Sequence, residues 1–216
     1  MRKPKKPSSS LFQPFDTMLG AIGAVRVLRI LTASPEPLAP SVVADRTGLQ
    51  RAAVGIILHR LAATGIVTPV GSGRRPYFRM EPRHPFASVL GHLFAEERRR
   101  SDAVLDLIRS AVSGLKPPPI AAWLVGSAAR GEDTPSSDVD VVVVTADRWG
   151  GERPEVIDAV VTDIADLGVT LSIVQLDLDD VERLRVAVDP RWTRWAEDAV
   201  ALVGSAPGFI RTRDQA

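Results

Sequence analysis

The 216-residue chain contains no cysteine, and its 27 Lys plus Arg stand against 26 Asp plus Glu for a formal charge of +1. That composition excludes a disulfide framework, a thiolate metal site and a cysteine nucleophile. The near-neutral sum hides a split: residues 1–100 hold 16 basic and 6 acidic side chains, net +10, whereas residues 101–216 hold 11 and 20, net −9. Halves of opposite sign point to two domains, the first with a polyanion as its partner.

Residues 1–10, MRKPKKPSSS, combine Lys, Pro and Ser, cannot bury a core and are expected to be disordered. The apolar stretch Leu19 to Leu31 is interrupted by Arg26 and Arg29, which makes it too charged and too short for a membrane span, and no secretory core follows the basic tail. The expectation is a cytoplasmic protein with no membrane partner. Leu19, Ile22, Val25, Val27, Leu28, Ile30 and Leu31 fit a mostly buried helix from Asp16 to Ala33, with Asp16 or Thr17 as its N-cap. Pro40 opens a short helix through Arg46, Thr47-Gly48-Leu49 turns, and Gln50 to Ala63 reads as a third helix with Val54, Ile57, Leu58 and Leu61 inward. Two strand-like runs follow, Ile66–Val70 and Tyr77–Met80, around Gly71-Ser72-Gly73-Arg74-Arg75-Pro76.

Helix, helix, turn, helix, hairpin is the order of a winged helix-turn-helix, whose third helix enters the major groove of duplex DNA while the hairpin tip reaches the flanking backbone. Gln50, Arg51, His59 and Arg60 on the outward side of that helix, and Arg74 and Arg75 at the tip, are the candidate DNA-binding residues. Gly55 and Ile56 share the outward side, and Ile56 either meets thymine methyls or packs. Residues 86–114 form one longer helix whose central Glu96-Glu97-Arg98-Arg99-Arg100 reads as a solvated face. This helix connects the domains or pairs with its copy in a homodimer. Lys116-Pro117-Pro118-Pro119 then makes a stiff break.

Beyond the prolines, a buried-strand run Ile120–Val125 leads into Gly126-Ser127-Ala128-Ala129-Arg130-Gly131, and Ser136-Ser137-Asp138-Val139-Asp140 leads into Val141–Val144. A strand entering Gly-Ser at a helix start offers backbone N–H groups and an open approach to a phosphate. Asp138 and Asp140, two residues apart on a strand, leave the same face roughly 6–7 Å apart along the backbone, a spacing at which carboxylates can share a divalent ion. A phosphate cradle beside paired carboxylates is the equipment for Mg²⁺-dependent transfer from a nucleoside triphosphate.

GSAARGEDTPSSDVDVVV resembles the motif of the DNA polymerase beta-like nucleotidyltransferase superfamily in its minimal form, and the whole chain resembles fusions of a winged helix-turn-helix to such a domain. The resemblance implies that Gly126 and Ser127, with Arg130 and Ser137, hold the nucleotide, expected to be ATP, and that Asp138 and Asp140 are the catalytic, metal-binding pair for Mg²⁺ or Mn²⁺. In active members a third carboxylate stands on the following strand, where this chain has Ser172.

The expected fold is thus α+β in two domains, a winged helix-turn-helix followed by a small mixed-sheet α/β nucleotidyltransferase fold. The expected boundaries are a basic tail at 1–15, the DNA-binding domain at 16–85, a connecting helix at 86–116, the nucleotidyltransferase-like domain at 117–206 and a tail at 207–216. Two functions compete: transfer of a nucleotidyl group from an NTP to an unidentified acceptor, and a regulator or toxin-antitoxin component that binds nucleotide with weak or no catalysis. Leu202-Val203-Gly204-Ser205 repeats Leu124-Val125-Gly126-Ser127 without the rest of the motif and reads as the end of a helix or strand. Trp192 and Trp195 read as core rather than as a base-stacking pair.

Overall fold

The computed structural model describes residues 9–71, 76–150 and 154–210. Two compact units divide the chain, the first running to Arg99 and the second beginning at Arg100. No helix among the described residues is long and apolar enough to cross a membrane.

In the first unit, α1 (Phe15–Met18) and α2 (Ile22–Thr32) replace the single helix expected from Asp16 to Ala33. The break falls at Gly20, whose φ of +69° is left-handed backbone that glycine adopts without a Cβ clash. Asp16 caps neither helix. It is fully buried and pairs with Arg26 at 2.6 Å and Arg29 at 2.8 Å. Two guanidinium partners satisfy a buried carboxylate more completely than the backbone N–H groups of a helix start. Ser9 and Leu11, within the stretch expected as a tail, are also buried, because the chain turns between Ser9 and Gln13 and seats the Leu11 side chain.

Helices α3 (Pro40–Thr47) and α4 (Arg51–Ala63) follow, joined through Gly48 and Leu49. Val54 and Leu58 of α4 are buried with Val27, Leu31, Val43 and Phe78, and Ile57 and Leu61 pack against them, so all four inward residues lie where their spacing predicts. Strands β1 (Val67–Val70) and β2 (Tyr77–Met80) pair antiparallel, Val67 opposite Met80 and Val70 opposite Tyr77. Leu38 exchanges both backbone hydrogen bonds with Phe78, each 2.8 Å, which ties the hairpin to the segment between α2 and α3.

The helix α5 (Ala87–Ser113) contributes its residues through Arg99 to the first unit and the remainder to the second. Its charge run is not a solvated face throughout. Glu97 is 2% exposed, accepts from Arg29 at 2.5 and 2.9 Å and from the Phe15 backbone N–H at 3.2 Å, while the Arg29 guanidinium also lies over the Phe94 ring. Arg100 donates to the carbonyl oxygens of Leu167 and Gly168. Partners far away in sequence, which local periodicity does not register, turned two of the five charges inward.

The second unit adds β3 (Ala121–Val125), α6 (Gly126–Arg130), β4 (Val139–Val144), α7 (Glu155–Asp166), β5 (Leu171–Leu176), α8 (Leu178–Val186), α9 (Pro190–Asp198) and β6 (Val200–Gly204). The sheet runs β5-β4-β3-β6, with β4 and β5 parallel and both other pairs antiparallel. β3, buried throughout, and the valine-rich β4, buried except at Asp140, make its centre, as expected for strands covered on both faces. Trp123 is fully buried, donates from Nε1 to the Ser205 carbonyl at 2.7 Å and meets Trp192 edge-on at 6.1 Å; Trp195 packs against the same core. The tryptophan pair is therefore core, and the repeated Leu202-Val203-Gly204 lies in β6. Ile210, in the expected C-terminal tail, is buried in this core as well, since its apolar side chain follows the short 3-10 turn Pro207–Phe209 back onto it.

Candidate functional site

The nucleotide-site candidates gather where β3, α6, β4 and β5 meet. Gly126 starts α6 directly from the end of β3, with φ +73° and no side chain capping the helix. Register pairs Val125 with Asp140 across β3 and β4, and pairs Asp140 with Ser172 across β4 and β5. Asp140 therefore sits between the Gly-Ser turn and the next parallel strand. A Cβ built on Gly126 would lie 2.5 Å from Asp140 Oδ2, so the glycine is required by the carboxylate beside it.

Asp138 precedes β4 and is exposed, delivered there by the Thr134–Ser137 turn. In that turn the Thr134 N–H donates to Ser137 Oγ at 2.9 Å and the two hydroxyl groups lie 3.0 Å apart. Asp140 is half-buried in a strand whose other positions are all buried. Burial pushes its carboxyl above the ordinary carboxylate range, the Ser172 hydroxyl opposes that by donating a hydrogen bond, and the nearby Asp138 charge raises it further. Among the described residues neither aspartate has an ion-pair partner, and no group of three or more His, Asp or Glu side chains is arranged to hold a metal.

Arg130 is 35% exposed, and its guanidinium is committed to Glu132 at 2.8 Å, with Asp198 of α9 at 3.7 Å. Ser127 is half-buried in α6, and its carbonyl accepts from the Glu132 N–H at 2.8 Å. Glu132 and Asp198 escaped the sequence reading. Glu132 lies inside the motif, but nothing in the sequence links Asp198 to it.

The second set of candidates lies on α4. Gln50 precedes the helix, and Gln50, Arg51, His59 and Arg60 are exposed, so the outward side assigned from periodicity is outward. The His59 ring also meets the Phe78 ring edge-on at 6.0 Å, which ties it to the hairpin. Arg74 and Arg75 lie outside the described residues.

Residues 105–191 match the family described as nucleotidyltransferase domain, and residues 24–71 match the family described as IclR helix-turn-helix domain. The chain thus carries a helix-turn-helix domain followed by a nucleotidyltransferase domain. No curated protein matches the chain. Among solved structures, human N-acetylserotonin methyltransferase in complex with SAM aligns at 17% identity with a TM-score of 0.27. The alignment covers 45% of this chain and 31% of that one, a likeness too slight to bear on fold or function.

Proposed function

We propose that the protein is a DNA-binding regulator whose nucleotidyltransferase domain holds a nucleoside triphosphate with a divalent ion and has little or no transfer activity. The observation that carries this reading is the pairing of Asp140 with Ser172 in the parallel β4–β5 register, with a hydroxyl donating to the carboxylate where a third carboxylate would stand. A serine there leaves a metal one ligand short and removes the group best placed to accept the acceptor's proton.

The donor chemistry nevertheless fits a hard ion. Asp138 and Asp140 offer carboxylate oxygens of like charge with no ion-pair partner among the described residues, and Mg²⁺ or Mn²⁺ takes such oxygens. Bound there, the ion would offset the charge of the triphosphate. Gly126 keeps Asp140 within reach of the Gly-Ser turn, Ser127 and Ser137 supply hydroxyl groups at its edges, and Arg130 reaches phosphate by releasing Glu132. ATP is the nucleotide proposed.

In the first domain, the net +10 of residues 1–100 and the exposed Gln50, Arg51, His59 and Arg60 support a duplex surface, with the hairpin acting as a wing; Arg74 and Arg75, which fall between its two strands in sequence, are the proposed contacts to backbone phosphates. The second reading, nucleotidyl transfer, is favoured by the intact Asp138, Asp140 and Gly126-Ser127.

One experiment separates the two: α-labelled NTP is incubated with Mg²⁺ or Mn²⁺, cell extract and either the natural chain or Ser172→Asp. Nucleotide retention without transfer by the natural chain, and label transfer gained by Ser172→Asp, are expected. Robust Asp138-dependent transfer by the natural chain would overturn the regulatory reading.

A further inference from the structure

The outward face of α4 is apolar at its centre. Ala52, Gly55, Ile56 and His59 follow helical spacings of three and four and share one face. Ile56 is 62% exposed, and Ala52 and His59 are exposed beside it. The cations stand at the two ends, Arg51 at the first helical residue and Arg60 in the last turn, and neither has an ion pair among the described residues.

Gly55 is the second peculiarity. A Cβ at this position would meet nothing within 4 Å, so packing inside the unit does not call for glycine, and glycine in a helix interior is destabilising relative to alanine. What a missing Cβ offers on an outward face is closer approach of the helix backbone to whatever lies against it.

Resting on the DNA-binding reading above, we propose that α4 recognises A·T-containing duplex by its thymine C5-methyl groups. Ile56 is the apolar contact, Gly55 lets the helix axis approach the base edges, and Arg51 and Arg60 take phosphates on either side. The thymine methyl is the apolar group that base edges present in the major groove, which matches an isoleucine where a hydrogen-bonding reader would otherwise stand. The flanking arginines and the net +10 of residues 1–100 favour a polyanion over an apolar protein surface as the occupant.

The test uses the full chain and a duplex enriched from random sequences. Each thymine is replaced in turn by uracil, which keeps the hydrogen-bonding pattern and removes only the methyl. At least one replacement is expected to weaken binding about fourfold, the effect of one buried methyl group. Ile56→Ala should bind the enriched duplex more weakly and no longer distinguish thymine from uracil at that position. Gly55→Ala should raise the melting temperature yet weaken DNA binding, an opposition that a merely structural glycine would not produce.

Indifference to every thymine replacement, a thymine preference that survives Ile56→Ala, or unchanged affinity in Gly55→Ala would each overturn the proposal. Loss of self-association in Ile56→Ala with unchanged DNA affinity would assign the patch to a second copy instead. Failure to retain any duplex would sink the DNA-binding reading itself, an outcome distinct from tight binding that ignores the methyl.

Discussion

Two sets of acidic side chains, one in each unit, are treated in opposite ways. In the first, Asp16 and Glu97 are almost inaccessible and each is met by guanidinium groups, Asp16 by Arg26 and Arg29 and Glu97 by Arg29. In the second, Asp140 is half-buried beside Asp138 with a hydroxyl as its hydrogen-bond donor and no cation facing it among the described residues. A closed network of opposite charges holds α1, α2 and the start of α5 to one another. Like charges held together by the fold leave an electrostatic debt that an external cation can relieve, and that difference separates a structural cluster from a binding one.

The largest effect should come from opening the closed network. Arg29→Ala removes the guanidinium that Glu97 and Asp16 share in a buried site, so a loss of about 3–5 kcal/mol in chemical denaturation is expected, as for a buried pair broken from one side. Replacing Arg29 and Glu97 together by Met and Leu should lose less than the single change. Equal or larger loss in the double variant would show that the ion pair itself, and not the buried carboxylate that has lost its guanidinium, dominates.

The open pair should respond to metal rather than to deletion. At 100 times its dissociation constant, Mg²⁺ should stabilise the natural chain by about 2.7 kcal/mol through mass action, and Asp140→Asn should abolish most of that gain in thermal denaturation. A Mg²⁺ response that persists in Asp140→Asn would place the ion elsewhere.

Without metal, the sign reverses. The folded state holds the Asp140 carboxyl above its ordinary range, so the fold favours the protonated form, a contribution present at acid pH and lost as pH rises through the raised value. Asp140→Asn should therefore melt higher than the natural chain near neutral pH, with the advantage shrinking toward acid pH where both side chains are uncharged. A variant less stable than the natural chain at neutral pH would contradict the assignment of Asp140 as an uncompensated charge.

The same contrast explains what was legible in the sequence. The α4 face and the β1–β2 hairpin follow from local period and from Gly and Pro punctuation, and they lie within a residue of expectation. Asp138 and Asp140 stood out by their spacing of two and Ser172 by the resemblance to the nucleotidyltransferase family; the β4–β5 register then pairs Asp140 with Ser172, while Asp138 falls just before β4. Asp16 and Glu97 were not, since a carboxylate 82 residues from the backbone N–H it accepts from leaves no local trace. Arg130 shows the limit within a legible motif: its identity was plain, whereas its engagement with Asp198 depends on where α9 returns to the sheet.

The smallest predicted effect bears most directly on the site. The Ser172 hydroxyl stabilises the charged form of Asp140 and works against the burial that raises its pKa. Ser172→Ala removes that donor while leaving the strand position and most of the side-chain volume in place. The Asp140 titration, followed by carboxyl NMR, should then move further upward, in line with a hydrogen bond to a charged group contributing on the order of 1.5–3 kcal/mol in full burial and less at a half-exposed site. Metal binding should weaken at mildly acid pH, where more of Asp140 is protonated, and approach that of the natural chain as pH rises above the shifted value. If the titration instead moved downward, the serine would be acting as a spacer that keeps Asp140 away from solvent, and its role as the hydrogen-bonding stand-in for a carboxylate would fall.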